Sequence, residues 1–195
     1  DHLVAVYCTS TGVEFTYIPS ETKVQWIAKY FESKQSKLSE DQQKHILEKL
    51  VQAAAFENFF HTKYVGQKRF SLEGLESTIP ALDALIDAAG DAGVEDVVIG
   101  MAHRGRLNIL ANIMQKPAQN IFTEFDGKDY ADVSDSFDGD VKYHLGYTSQ
   151  KTTPAGNTVN LNLAPNPSHL ETVGAVIEGV TRAKQDKFYP NNVEK

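Results

Sequence analysis

Cysteine is almost absent from this chain: Cys8 is the only one in 195 residues. A lone thiol cannot close an intramolecular disulfide, so a disulfide framework is excluded, and a reducing compartment fits better than secretion. Cys8 lies in an apolar, strand-like run and is expected to be a small buried hydrophobe rather than a nucleophile. Long apolar runs are also missing. The longest fall far short of the roughly 20 residues that a helix needs to cross a bilayer. The opening Asp1-His2-Leu3 does not read as a secretory leader. No basic block exceeds the pair Lys68-Arg69, and the formal net charge is -7, which argues against a general nucleic-acid surface. There is no internal sequence repeat.

What the chain does contain suits a folded domain. It is 41% hydrophobic and 23% charged, so it can bury a core and is not compositionally disordered. The most informative stretch is Asp96-Val97-Val98-Ile99-Gly100-Met101-Ala102-His103-Arg104-Gly105-Arg106-Leu107-Asn108-Ile109-Leu110. Val97, Val98 and Ile99 predict a short buried strand, and Leu107, Ile109, Leu110 and Ile113 allow a helix after it. A His-Arg pair therefore sits between two glycines where a strand hands over to a helix, the place where open α/β sheets bind ligands. Gly100 and Gly105 would let backbone approach a ligand. Free N–H groups at the helix start and the planar guanidinium of Arg104 suit a phosphate or carboxylate. The competing reading is a structural salt bridge for Arg104 and a satisfied turn residue in His103.

Residues 4–8 and 13–18 predict two short strands joined by a Ser/Thr/Gly turn. A helix opens at Pro19-Ser20-Glu21 and runs through Val24, Ile27, Tyr30 and Phe31. Ser39 with Gln42 has the spacing of a capping box. The helix it starts carries Ile46, Leu47, Leu50, Val51 and Ala54 as an apolar stripe, extended by Phe56, Phe59 and Phe60 as core. His45 and His61 have no partner at ligand spacing and are expected on the surface. Residues 68–74 form a hinge. A helix over 75–89 follows, with Pro80 near its first turn and Gly90 ending it at positive φ.

A short helix over 118–125 leads into residues 126–140, where Asp126, Asp129, Asp132, Asp135, Asp138 and Asp140 lack calcium-loop spacing and predict a solvated, mobile loop. Residues 156–163 alternate polar and apolar side chains as a strand does. Pro165-Asn166-Pro167-Ser168-His169-Leu170-Glu171 then forms an extended turn with Ser168 as N-cap, before a helix through Val173, Val176, Ile177 and Val180. If the two strands are parallel, His103 and His169 leave the same sheet edge and could face one pocket. The fold class is α/β: a helical amino-terminal region of residues 1–67 with a small β-hairpin, then residues 68–195 as part of an open, mainly parallel sheet with flanking helices. Two parallel strands make a poor sheet by themselves, so the chain reads as part of a larger domain.

At Gly100-Met101-Ala102-His103-Arg104-Gly105-Arg106-Leu107-Asn108 and at Asn166-Pro167-Ser168-His169-Leu170-Glu171 the sequence resembles the 2-oxoglutarate dehydrogenase family, in its first, decarboxylating component. Gly12-Val13-Glu14-Phe15, Lys68-Arg69-Phe70-Ser71-Leu72-Glu73-Gly74, Asp140-Val141-Lys142-Tyr143-His144-Leu145-Gly146 and Arg182-Ala183-Lys184-Gln185-Asp186 carry the likeness over almost the whole chain.

The resemblance implies an incomplete thiamine diphosphate-binding fold, decarboxylation of 2-oxoglutarate on that cofactor, and transfer of the succinyl group to a lipoyl-bearing succinyltransferase. It implies that Arg104 binds the cofactor diphosphate and that His103 and His169 act at the active site on the dicarboxylate substrate or its adduct. Imidazole, neutral or protonated, can donate to a carboxylate. A homodimer is implied for the full-length protein, in the cytoplasm of a bacterium or the mitochondrial matrix of a eukaryote.

Two departures stand out. The family's magnesium motif, Gly-Asp with a downstream Asn-rich segment, is not matched: Gly139-Asp140 lies in the acidic loop and Asn166 belongs to the histidine turn. Magnesium ligands are therefore expected outside this chain. The first turn, Thr9-Ser10-Thr11, is more polar than the family usually has there. The alternatives are a paralogue acting on 2-oxoadipate and a non-catalytic phosphate-binding or assembly module.

Overall fold

A computed structural model describes residues 2–8, 12–33, 38–126, 144–166 and 171–190. They fall into two compact units, Asp1–Lys44 and His45–Lys195.

The first unit contains α1 (His2–Tyr7) and α2 (Glu21–Ser33). The expected β-hairpin is not formed. Residues 2–7 are helical, and residues 12–20 contain no strand. An apolar run as short as Leu3-Val4-Ala5-Val6 has no period that separates helix from strand, so its neighbours decide. Here Tyr7 ties α1 to α2, with its ring 5.6 Å from that of Phe31 and its hydroxyl donating to Glu32 at 2.8 Å. Cys8 follows α1 and is exposed, not buried as its apolar context suggested.

The next helix, α3 (Glu40–Lys63), starts at the expected capping box. Ser39 Oγ accepts from the Gln42 N–H at 3.2 Å, and Gln42 Oε1 accepts from the Ser39 N–H at 2.9 Å. In the second unit its buried line runs through Ala53, Glu57 and Phe60, whereas Leu47 and Val51 are exposed. A carboxylate in mid-stripe hid the true buried face from the apolar pattern. Phe60 packs with Tyr64, Phe122 and Phe125 as core, as expected of an aromatic cluster.

Helix α4 (Thr78–Asp91) begins later than its apolar pattern suggested. Gly90 lies inside it and does not end it at positive φ. That role falls to Gly93, at φ 92. A Cβ on Gly90 would lie 2.5 Å from Val159 Cγ2, so this glycine is where the helix touches the sheet.

Then come β1 (Asp96–Ile99), α5 (Arg106–Asn112), α6 (Ala118–Phe125), β2 (Tyr147–Thr152), β3 (Thr158–Leu163) and α7 (Thr172–Phe188). The sheet order is β1-β3-β2. The β1–β3 ladder is parallel, pairing Ile99 with Leu163, and β2–β3 is an antiparallel hairpin pairing Tyr147 with Leu163. Among the described residues the sheet is thus mixed rather than mainly parallel. Val159, Leu161 and Leu163 turn one face of β3 into the core shared with Ile79 and Ile86 of α4 and with Leu107, Ile109 and Leu110 of α5. On β1, α7 packs close: a Cβ on Gly100 would lie 2.7 Å from Ile177 Cγ2, and Lys184 pairs with Asp96 at 2.6 Å.

The stretch expected to be a mobile acidic loop lies outside the described residues except for Asp126. Ser168 and His169 lie outside them as well.

Candidate functional site

The site is built where β1 and β3 end side by side. After Ile99 the chain turns through residues 100–105 and enters α5, and the segment before α4 walls that turn. Residues 68–74 are not a loose hinge. Glu57 Oε1 accepts from the Leu72 N–H at 3.1 Å, Glu57 Oε2 accepts from Arg69 Nε at 3.3 Å, and Leu72 is buried. Phe70 takes a left-handed backbone, φ 49, and its carbonyl accepts from the Gly105 N–H at 2.8 Å. Positive φ at a bulky residue persists only where its surroundings enforce it, and such residues cluster at functional sites.

The two glycines serve packing rather than a ligand. Gly105 has φ 73, and a Cβ there would lie 2.4 Å from Leu72 Cδ1. Gly100 makes room for α7. The helix start is also partly committed, since Gly105 N–H donates to Phe70 and Arg106 N–H to the His103 carbonyl at 3.1 Å. Two of the backbone donors are therefore taken, and the anion-site reading leans on side chains.

Those side chains divide sharply. His103 is half-buried, with its ring centroid 3.9 Å from that of Phe70. Its Nδ1 is buried without a hydrogen-bond partner among the described residues. Arg104 is exposed, with its guanidinium 6.0 Å from the Phe70 centroid and one weak contact to the Ser71 carbonyl at 3.5 Å. It makes no ion pair among the described residues.

Arg106 and Asn108 point the other way and are fully buried. Arg106 donates to the carbonyls of Met101 at 3.3 Å, Leu145 at 2.8 Å and Ala164 at 2.7 Å, fastening the ends of β1 and β3 to the start of β2. Asn108 Nδ2 donates to the Ala53 carbonyl at 3.0 Å and to Glu57 at 3.1 Å. One stretch of motif thus sends His103 and Arg104 to the sheet edge and uses Arg106 and Asn108 as scaffold. Nothing local in the seven residues of α5 announces this, since Arg106, Asn108 and Asn112 are polar and the first two are buried only once the fold closes over them.

Sequence reasoning also missed the centre of charge behind the site. Asp83 on α4 accepts from Lys151 of β2 at 2.8 Å and from His45 of α3 at 2.7 Å, with Lys49 at 3.2 Å. His45 is on the surface as expected, but it has this long-range partner. Burial pushes the Asp83 carboxyl up, yet the hydrogen bonds from Lys151 and His45 and the nearby ammonium groups outweigh it and bring the pKa down to about 2. His61 is exposed.

The parallel β1–β3 pairing is the condition under which His103 and His169 leave the same edge. His169 itself lies outside the described residues. Among those residues no group of three or more His, Cys, Asp or Glu could hold a metal ion. No helix among them is long and apolar enough to cross a membrane.

Residues 48–188 match the family model described as the dehydrogenase E1 component. The chain belongs to the dehydrogenase E1 family. Within it, the chain is 48% identical over 184 residues to "2-oxoglutarate dehydrogenase, mitochondrial" of Saccharomyces cerevisiae, covering 94% of this chain and 18% of the relative. It is 48% identical over 189 residues to the "2-oxoglutarate dehydrogenase E1 component" of Cupriavidus necator, covering 96% and 20%. With the "2-oxoglutarate dehydrogenase E1/E2 component" of Corynebacterium glutamicum it shares 49% identity over 186 residues, covering 94% and 15%. This E1 segment therefore spans a fifth or less of the length of these curated relatives. The matched residues contain β1, α5, β3 and the whole edge described above.

Proposed function

We propose that this E1 segment supplies the diphosphate- and substrate-facing edge of a thiamine diphosphate-dependent 2-oxoglutarate dehydrogenase. The observation that carries the reading is the pairing of an exposed Arg104 guanidinium, with no ion pair among the described residues, and an orphaned Nδ1 on His103 at the carboxyl end of β1. An exposed cation that makes no ion pair among the described residues and an unmet polar atom, held next to each other in sequence at a sheet edge, suit an anion with several oxygens. The thiamine diphosphate-binding fold, of which this sheet would be one part, fits that placement.

When bound, the cofactor supplies the carbanion chemistry, and the protein supplies orientation and electrostatics. Arg104 binds oxygens of the diphosphate through its planar fork. His103, braced against Phe70, and His169 hold the dicarboxylate substrate by hydrogen bonds to its oxygens. Magnesium would be held by ligands outside this chain, as the resemblance implies, because the family's Gly-Asp and Asn-rich motif is not matched in this sequence. The acyl product passes to the lipoyl arm of a succinyltransferase, a pairing supported by the name of the E1/E2 relative. The working protein is a homodimer, in the mitochondrial matrix or the bacterial cytoplasm according to its host. By this reading the domain boundary falls near residue 67, with the cofactor-facing part in 68–195.

The test is carbon dioxide release from 2-oxoglutarate and from 2-oxoadipate by a full-length E1 protein carrying this segment, with thiamine diphosphate and magnesium present. A clear preference for 2-oxoglutarate is expected. Preference for 2-oxoadipate would move the chain to the paralogue, and no release from either would leave only the phosphate-binding or assembly module.

A further inference from the structure

Asn166 is 1% exposed, and neither its Oδ1 nor its Nδ2 meets a hydrogen-bond partner among the described residues. A buried carboxamide with both ends unmet is unfavourable and is seldom retained without a reason. Its backbone, in contrast, is firmly held. The Asn166 N–H donates to the His144 carbonyl at 3.0 Å, and the Ala164 carbonyl two residues earlier accepts from Arg106 at 2.7 Å. The same guanidinium holds the Met101 carbonyl, two residues before His103. Asn166 and His103 are thus each two residues beyond a carbonyl fixed by Arg106, on the adjoining ends of two parallel strands. Each presents buried polar atoms without partners. An anchored backbone with an idle polar head is the arrangement a preorganised binding group requires.

We infer that the Asn166 carboxamide is a further substrate-binding group of this site, donating its Nδ2–H to a carboxylate oxygen of the 2-oxo acid beside His103. The inference rests on the function proposed above. Asn166 supplies a donor without charge, which suits a substrate carboxylate near an arginine already engaged with the diphosphate. It makes no contribution to cofactor affinity.

Asn166→Leu and Asn166→Asp in the full-length E1 protein test this. Leucine removes the donor at similar volume, and aspartate keeps the shape but sets a negative charge against the substrate. The KM for 2-oxoglutarate should rise about tenfold to a hundredfold in Asn166→Leu, as for loss of a hydrogen bond to a charged group, and more in Asn166→Asp. Thiamine diphosphate affinity should be unchanged. The melting temperature of Asn166→Leu should be equal or higher, because an orphaned amide has been removed. Calorimetric titration of the cofactor-free protein with glutarate, a dicarboxylate that cannot react, should show the same order of weakening.

An unchanged KM in both variants overturns the assignment, as does a fall in cofactor affinity. So does a lower melting temperature in Asn166→Leu with tolerance of Asn166→Asp, which would make the amide an internal acceptor. If Asn166→Leu does not fold, the aspartate variant alone decides. A wild-type protein that neither binds thiamine diphosphate nor releases carbon dioxide overturns the functional reading and this inference together. An active wild type with indifferent variants overturns only the Asn166 assignment.

Discussion

Arg106 Nη2 donates to the carbonyl of Ala164 at 2.7 Å across 58 residues of sequence. That nitrogen also serves Leu145, and Nη1 of the same guanidinium serves Met101, so one side chain closes the end of the sheet. The site edge inherits its rigidity from this bond set.

Arg106→Leu should therefore lower the stability of the intact protein by about 3 kcal/mol or more, because hydrogen bonds to charged groups are worth about 1.5–3 kcal/mol and the carbonyls left behind are buried. Arg106→Lys should recover only part of it, since a point charge cannot match a planar fork. Thermal unfolding with an unchanged midpoint for Arg106→Leu would show that the carbonyls find other partners.

Asp83 carries the second prediction. Its folded pKa of about 2 lies below the ordinary value of 3.8. A depressed carboxylate stabilises the fold in full above its unfolded pKa and loses that contribution as the pH falls through its folded pKa. The shift is worth about 2 kcal/mol at neutral pH, lost between about pH 4 and pH 2. Asp83→Asn should lower stability at pH 7 and flatten the acid limb over that window. A variant whose stability still falls as steeply from pH 4 to pH 2 as the wild type would place the acid sensitivity elsewhere.

The readable parts of this molecule were those whose cause is local. Ser39 and Gln42 lie three apart and cap a helix wherever the chain folds, and the short β-branched run at Val97, Val98 and Ile99 makes a strand that can be recognised alone. The unreadable parts depend on distant partners. Strand β2 is polar, so it shows no alternation. Its one sign was the Pro154-Ala155-Gly156-Asn157 turn before the apolar strand β3. Asp83, Glu57 and Arg106 look like ordinary surface charges until α3, α4, α5 and the sheet are brought together. At the site, His103 and Arg104 are legible as a pair at a strand-to-helix turn, but nothing local distinguishes the exposed Arg104 from the buried, structural Arg106 two positions on. In sequence Asn166 is only part of a turn, since its orphaned amide exists only once the fold closes over it.

Arg104→Ala in the full-length E1 protein should weaken thiamine diphosphate binding by about tenfold to a hundredfold, the range for losing a charge-assisted phosphate contact. Stability should hardly change, because Arg104 is exposed and makes one weak contact to Ser71. An unchanged cofactor titration would make this residue a surface arginine resting on Phe70.

The two histidines carry the last prediction. His103 follows β1, and His169 follows β3 in sequence; the parallel β1–β3 ladder is the condition that the shared-site expectation sets, and His169 itself lies outside the described residues. If both imidazoles hold one dicarboxylate, His103→Ala and His169→Ala should each lower kcat/KM for 2-oxoglutarate while leaving cofactor affinity closer to wild type than Arg104→Ala does. The double variant should lose less than the product of the single losses, because groups acting as a unit are not additive. His103 also packs on Phe70, so part of its effect could arise from a loosened wall. His103→Asn separates the two: it shortens the ring contact yet keeps a polar head near the Nδ1 position. Recovery of activity by His103→Asn above His103→Ala, with equal melting temperatures, assigns the loss to the lost hydrogen bond. Strictly multiplicative losses in the double variant would mean that the two histidines serve separate steps or separate ligands.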